Sequence, residues 1–393
     1  MPKMKLSDIG FLSRGKSKHR PRNDQILYGG KYPFIQTSDI KKANHILYTY
    51  EQTYNEIGLK QSKLWGKNTI CITIAANIAD SAILGFEACF PDSIIGLEVN
   101  DKIANYHYIE YLLQYYKIIL QNQSNGTSQE NINLETFEQV YFDIPSLEQQ
   151  NAISHILYTI DKKIELNDKL NNELEKLAQT LYNYWFVQFD FPDEFGRPYK
   201  SSGGKMVYNE VLKREIPEGW TSASLNNICL MYQPQTIGTD QLLPNGKFYV
   251  YGANGIIGKY DQYNHVESEI AVACRGNSCG VVNRPLMKSW ITGNAMVVQM
   301  KDKTIHNEYL YQMLKCINIK RIVTGSGQPQ ITRANLAPIQ VSKPHQDLLL
   351  KYSALVASNV TERLRNELEN QKLAELRDFL LPMLMNGQVS VKS

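Results

Sequence analysis

The chain has 393 residues, enough for two or three domains, and its 43% hydrophobic and 21% charged residues are the proportions of an ordinary globular protein. Its 42 Lys and Arg against 39 Asp and Glu leave a net charge of only +3, so bulk charge alone announces no polyanionic partner. No stretch reaches the ~18 uninterrupted apolar residues of a membrane span. Met1-Pro2-Lys3-Met4-Lys5 leads into polar, basic sequence rather than the apolar core of a signal peptide, so the expected location is the cytoplasm. Six scattered cysteines (Cys71, Cys89, Cys229, Cys274, Cys279, Cys316) are expected as reduced thiols.

From the N-terminus, residues 1–42 hold 10 Lys and Arg against 3 Asp. Short β-type runs follow, among them Tyr32-Pro33-Phe34-Ile35 and Ile70-Cys71-Ile72-Thr73-Ile74. Pro145 marks a boundary, after which a long helical pattern runs from about Leu147 to Phe186. A second mixed segment brings the Gly-rich turn Tyr251-Gly252-Ala253-Asn254-Gly255-Ile256-Ile257-Gly258 and the run Ile270-Ala271-Val272-Ala273. Pro344 then precedes a second long helical pattern, from about Gln346 to Leu381, expected to stop at Pro382. Charge follows this order: residues 1–145 are net 0, 146–202 net −3, 203–345 net +6 and 346–393 net 0. Two electropositive patches for phosphates and a merely solvated surface both fit that distribution.

The chain is written twice. Gly126-Thr127-Ser128-Gln129-Glu130-Asn131-Ile132 matches Gly325-Ser326-Gly327-Gln328-Pro329-Gln330-Ile331 at an offset of 199. The same offset carries Pro145 onto Pro344, Asn167 onto Asn366, Leu174 onto Leu373 and Leu181 onto Leu380. The first helix places Ile153, Ile156, Ile160, Leu170, Leu174, Leu177, Leu181 and Tyr184 in a narrow heptad seam of alternating three- and four-residue steps, interrupted by Lys163 and Asn167. The second shows Tyr352, Leu355, Leu373, Leu376 and Leu380. Amphipathic helices on a globular core would give a related pattern; the narrow seams and great length favour an antiparallel coiled coil. Asn167 and Asn366, equivalent in the repeat, are expected to fix its register. The expected fold class is α/β (α+β), with two recognition domains in pseudo-twofold repeat joined by two long antiparallel helices. The expected division is residues 1–145 and 221–345 for the two domains, 146–190 and 346–385 for the helices, 191–220 for a linker and 386–393 for a tail.

Residues that would carry chemistry are missing. No Gly-x-x-x-x-Gly-Lys-Ser/Thr loop occurs, and Gly258-Lys259 is followed by Tyr260. No Asn/Asp-Pro-Pro-aromatic run is present to hold a flipped adenine. Cys274 and Cys279 lack a second pair at metal-ligand spacing. Cys229 and Cys316 read as small core residues, and the seven histidines sit singly as surface or packing residues. The chain is therefore expected to be non-enzymatic and to bind no cofactor or metal of its own.

These residues resemble the specificity subunits of Type I restriction–modification systems, over nearly the whole chain. The most specific likeness runs from Gly126 through Pro145 and Glu148-Gln149-Gln150 to Leu181-Tyr182-Asn183-Tyr184-Trp185-Phe186, then through Phe191-Pro192. Ile216-Pro217-Glu218-Gly219-Trp220 is similar to the usual entry to a second recognition domain. The second copy departs from the first, with Pro344-His345-Gln346-Asp347 in place of Pro145-Ser146-Leu147-Glu148. The resemblance implies double-stranded DNA, two modification subunits that bring S-adenosylmethionine, and two restriction subunits as partners.

Which side chains touch DNA is a separate question. Arg14, Lys16, Lys18, Arg20 and Arg22 are candidate phosphate contacts, or simply a solvated run. Arg275, Asn277 and Ser278 are candidate base readers, since Arg suits guanine and Asn adenine; a structural turn is the alternative. Gln36, Thr37 and Ser38 are weaker candidates. Ser128, Gln129, Ser326, Gln328 and Gln330 precede the helices and either touch DNA or cap structure. Lys259 lies on the Gly-rich turn. Tyr182, Trp185 and Phe186 are either anchors for a partner or the core where the helix meets the second domain. A stand-alone DNA-binding regulator and a protein scaffold are the rival functions.

Overall fold

The computed structural model describes residues 2–74, 80–124, 140–244, 246–325 and 327–391, with only the backbone of 118–124. Contacts divide the chain into two compact units, Met1–Asn167 with Glu369–Ser393, and Asp168–Leu368. The division falls inside both long helices rather than at their ends.

The first unit is built on a five-stranded sheet ordered Gly10–Arg14, Ile94–Val99, Ile70–Thr73, Ser81–Leu84 and Ile46–Leu47, with only the last pair parallel. Strand alternation sorts its side chains. Ile70, Ile72, Ile83, Ile95 and Leu97 face a core shared with Tyr108, Ile109, Leu112 and Leu113 of the helix Tyr106–Ser124. Cys71, Ala82, Leu84 and Ile94 face the other side, against Trp65 and Phe90. A one-residue register slip would exchange these sets, so the two cores fix the pairing. A second sheet orders Gln52–Tyr54, Tyr28–Phe34, Ala88–Cys89 and Leu64–Trp65.

The second unit repeats this plan. Cys229–Tyr232, Ala295–Met300, Ile270–Ala273 and Val282–Asn283 form a sheet in the same order as the first four strands above. Ile270, Val272, Met296 and Val298 pack with Tyr309, Leu310, Met313 and Leu314 of the helix Asn307–Cys316. Ala271, Ala295 and Val297 take the opposite face. The parallel pairing of Phe34 with Cys89 returns as Val250 with Trp290. The Gly-rich turn is a hairpin, Phe248–Gly252 with Gly255–Tyr260, whose Gly255 holds φ +90°, a conformation that glycine tolerates best. Between the repeats, Phe191 stacks on both Tyr199 and Trp220, with ring centroids 4.7 and 5.4 Å apart.

The long helices are Leu147–Tyr182 and Gln346–Met385. In the first unit Asn167 meets Asn370 and Asp161 meets Arg377, while Ile153 and Leu157 share a core with Leu381, Leu384 and Met385. In the second, Asn171 meets Asn366, Glu175 meets Arg363 and Tyr182 meets Tyr352. Rising numbers on one helix thus meet falling numbers on the other, an antiparallel coiled coil. The frame read from the sequence holds in part: its Ile153, Ile160, Asn167, Tyr352 and Asn366 are buried, but several of its leucines are not. Leu170, Leu177, Leu355 and Leu376 are between 44% and 55% exposed, whereas Asn167, Ala178, Asn366, Val356 and Val360 are buried. Polar pairs hold the inner positions in the middle of the helices and leucines face outward, so reading apolar as inward chose the wrong face there.

The second helix also passes through Pro382 to Met385 instead of stopping. Proline forfeits one backbone hydrogen bond. Burial of Leu381, Leu384 and Met385 at 2–4% exposure offsets that loss. The first helix ends in a π-turn, Asn183–Val187. Cys316 is exposed, not a core residue. His45 and His107 do not sit singly: His45 Nε2 lies 2.8 Å from His107 Nδ1, and His45 Nδ1 meets the buried Glu110 carboxylate.

Candidate nucleic-acid interface

Two of the segments singled out from the sequence come together in the second unit. After the strand Ile270–Ala273 come Cys274 and the loop Arg275-Gly276-Asn277-Ser278, with Arg275 and Asn277 exposed. It is pinned to the segment Thr324–Ile331. Gly276 N donates to Pro329 O at 2.9 Å, Ile331 N to Cys274 O at 3.0 Å, and Arg275 bridges Gln330. Cys279 Sγ donates to Pro329 O at 3.0 Å. Gly276 holds φ +74°, which lets the chain double back. Cys274 and Cys279 therefore fasten this loop pair, and Arg275, Asn277, Gln328 and Gln330 are all exposed on hydrogen-bonded backbone. Gln330 N and Thr324 O exchange a further 2.8 Å bond, closing the second loop on itself.

The hairpin touches the edge strand Val282–Asn283 of the same sheet, where Asn283 Nδ2 donates to Ala253 O at 3.5 Å. Lys259 lies on its second strand, with its ammonium 5.3 Å from the Tyr249 ring. Lys320 and Arg321, exposed in the short turn Ile319–Ile322 that enters the loop Thr324–Gln330, were not singled out in the sequence. The signal was available: two adjacent cations five and four residues before Gly325, where the repeated motif begins. Ser326 lies outside the described residues. So do Ser128 and Gln129, and residues 75–79, the first-copy counterparts of these loops.

In the first unit the basic run divides. Arg22 grips Asp92 through two bonds of 2.7 and 2.8 Å, and Arg20 Nη1 donates to Ser17 O and His19 O at 2.6 and 2.8 Å. Arg14, Lys16 and Lys18 are exposed. Lys16 is held by its backbone, whose N–H donates to Phe90 O and whose carbonyl accepts from Ser62 Oγ at 2.7 Å. Gln36 caps the six-residue helix Thr37–Lys42 and donates to Gln52 Oε1 at 2.6 Å; Ser38 is exposed in its first turn.

On the helices, Asn167 Nδ2 donates to Asn370 Oδ1 and Glu369 Oε2, both at 2.8 Å, and Asn366 Nδ2 donates to Asn171 Oδ1 at 2.9 Å. The offset of 199 maps Asn171 onto Asn370, so one asparagine pair occurs twice with the copies exchanged. Asn171 and Asn370 carried the same repeat signal and were missed. Tyr182, Trp185 and Phe186 are 3–6% exposed and pack on Tyr309, Tyr352 and Trp220. Of the two readings, this burial supports the core where the helix meets the second domain.

Among the described residues no group of His, Cys, Asp and Glu is arranged to hold a metal, and no helix is long and apolar enough to cross a membrane.

Two copies of one α/β unit, each packed on paired antiparallel helices, define an internally duplicated class of protein. The chain matches the family described as the Type I restriction modification DNA specificity domain, over residues 1–176 and 217–377, and belongs to it. It is 24% identical to the specificity subunit of the Type I restriction enzyme MjaIX of Methanocaldococcus jannaschii, across 99% of this chain and 93% of that one. It is 23% identical to the HindI specificity subunit of Haemophilus influenzae, across 70% and 74%. The fold is that of the S subunit of a Type I restriction–modification system from M. genitalium, with TM-score 0.61 and 18% identity over 98% of this chain and 96% of that one.

Proposed function

We propose that the chain reads a split, asymmetric DNA site, one half through each unit, and directs adenine methylation and restriction by partner subunits. The observation that carries this reading is the repeated fold with unlike sequences in its loops: equal scaffolds presenting different side chains call for two different half-sites. In the second unit Arg275 and Asn277 would read base edges in the major groove, where every base pair differs. Gln328 and Gln330 would assist, and Lys320 and Arg321 would hold phosphates. Arg14, Lys16 and Lys18 would do the same in the first unit, and Arg20 and Arg22 contribute less because their donors are already engaged.

The helices act as the ruler. The first has 36 residues, about 54 Å at ~1.5 Å per residue. One duplex turn is ~34–36 Å, so half-sites about one turn apart on one DNA face are within reach and the gap is measured without being read. The exposed leucines Leu166, Leu170, Leu177, Leu355 and Leu376, with Phe379, suit docking of two modification subunits, because a partner that covers them removes their apolar surface from water. Those subunits would bring S-adenosylmethionine and the pocket for the flipped adenine; two restriction subunits would complete the assembly in the cytoplasm.

Co-expression with the modification subunit in a methylation-free host, followed by genome-wide mapping of N6-methyladenine, tests the reading. The expected result is a split motif modified in both halves that vanishes when this chain is omitted. A continuous motif, or methylation independent of this chain, would overturn it.

A further inference from the structure

Each recognition domain is fastened to both long helices by its own largely buried charged network. The two domain helices share a motif, Glu110-Tyr111-Leu112-Leu113-Gln114 and Glu308-Tyr309-Leu310-Tyr311-Gln312. Glu110 and Glu308 are 0% and 1% exposed, and each accepts the amide of its own fourth-following glutamine, at 2.8 and 2.7 Å. From that common core the two units diverge.

In the first unit Asp161 of the first long helix accepts the Tyr111 hydroxyl at 2.5 Å and Arg377 Nη1, from the second long helix, at 2.8 Å. Arg377 also donates to Asn44 Oδ1 at 3.2 Å, next to His45, whose ring stacks on Tyr111 with centroids 4.1 Å apart. Arg377 and Asp161 thus join both helices to the domain helix and the Asn44-His45 segment. In the second unit Glu175 plays the central part. It accepts Arg363 Nη1 at 2.6 Å and Lys315 Nζ at 2.9 Å. Arg284, 3.8 Å away, spans from Glu175 to Glu308, to which it donates at 2.6 Å.

These networks are not products of the repeat. The offset of 199 puts Val360 opposite Asp161 and Ala374 opposite Glu175, so neither acid has a counterpart. An apolar seam tolerates small slides and rotations, because its contacts are many and non-directional. A buried guanidinium between carboxylates does not, because any displacement strands a charge. Such groups add little net stability but select one geometry.

We propose that Arg377–Asp161 and Arg363–Glu175 are positioning residues that set the angle at which each recognition domain stands on the helix pair. They thereby decide which gap lengths between half-sites are accepted, without touching DNA. The proposal rests on the split-site reading above. Lysine keeps the charge of these arginines and loses the planar fork. Arg377→Lys and Arg363→Lys would each be co-expressed with the modification subunit and tested on a library of split sites whose gap varies one base pair at a time. The expected result is unchanged base preference in both halves and about tenfold weaker discrimination between the best gap and gaps one base pair longer or shorter. Asp161→Asn and Glu175→Gln, near-isosteric and uncharged, give the same readout if the lysine variants fold poorly. Lys176→Met, which breaks an exposed pair with Glu173 on the same helix, leaves the gap profile unaltered. If no folded variant changes the gap profile, or if base preference shifts instead, the positioning role is refuted. If the unsubstituted chain itself shows no split motif, the split-site reading fails and takes this proposal with it.

Discussion

Replacing Phe186 separates the core from a partner surface at the place where the first long helix ends. Phe186 is 3% exposed, and its ring lies 5.0 Å from that of Tyr309, 5.1 Å from Tyr352 and 5.2 Å from Tyr182, the first two edge-on. Phe186→Ala removes a buried aromatic side chain and leaves a cavity among rings that cannot collapse into it, a loss of about 3–5 kcal/mol. With a urea dependence of ~2 kcal/mol per molar for a unit of this size, the midpoint should fall by about 2 M. Tryptophan fluorescence reports it directly, because Trp185, Trp220 and Trp290 lie in the second unit and only Trp65 in the first. Tyr184→Ala, two residues away at a side chain 38% exposed, should cost less than about 1 kcal/mol. The reasoning is refuted if Phe186→Ala unfolds with the unsubstituted chain while its affinity for the modification subunit collapses.

Three further outcomes follow from named groups. Arg14→Glu, Lys16→Glu and Lys18→Glu together should weaken binding to all DNA sequences alike and lower the salt slope by up to ~2.7, at ~0.9 per phosphate contact; a changed base preference at constant slope would contradict their assignment. Arg275→Ala should lose about 1–3 kcal/mol of discrimination at one position of one half-site, with the other half unchanged in a binding-site selection. Burial, and secondarily the neighbouring His45, hold the His107 imidazole down at about 4, below its ordinary 6.5. The unfolded chain then binds more protons than the folded one between those values, so this contribution is complete above pH 6.5 and is lost as pH falls toward 4. His107→Gln should flatten that part of the acid-unfolding curve of the first unit, followed through Trp65; an unchanged slope would argue against the burial.

The repeat was legible because it is a relation between residues, independent of what each one does. Asn167 and Asn366 could be matched by offset alone, and the structure gives each a partner from the other copy's equivalent position. The middle of the seam was misread because Leu170 and Leu177 obey helical periodicity as well as the buried residues do. Periodicity gives a face and not its direction, and here the inward face is filled by Asn171, Glu175 and Ala178, which carry no apolar signal. Pro382 looked like a stop because local rules cannot see Leu384 and Met385 anchored in a distant core. The convergence of Arg275 with Gln330 depends on backbone pairing between residues 55 apart, which no local pattern records. His45 and Glu110 are separated by 65 residues and likewise met only in the fold.

The claim that two independent heads read two halves is tested most directly by exchanging one of them. Residues 1–145 would be replaced by those of a relative with a different motif, and N6-methyladenine mapped in a methylation-free host expressing the chimera with the modification subunit. The account predicts a new sequence in one half, with the other half unchanged. A motif altered in both halves, or in neither, would contradict it.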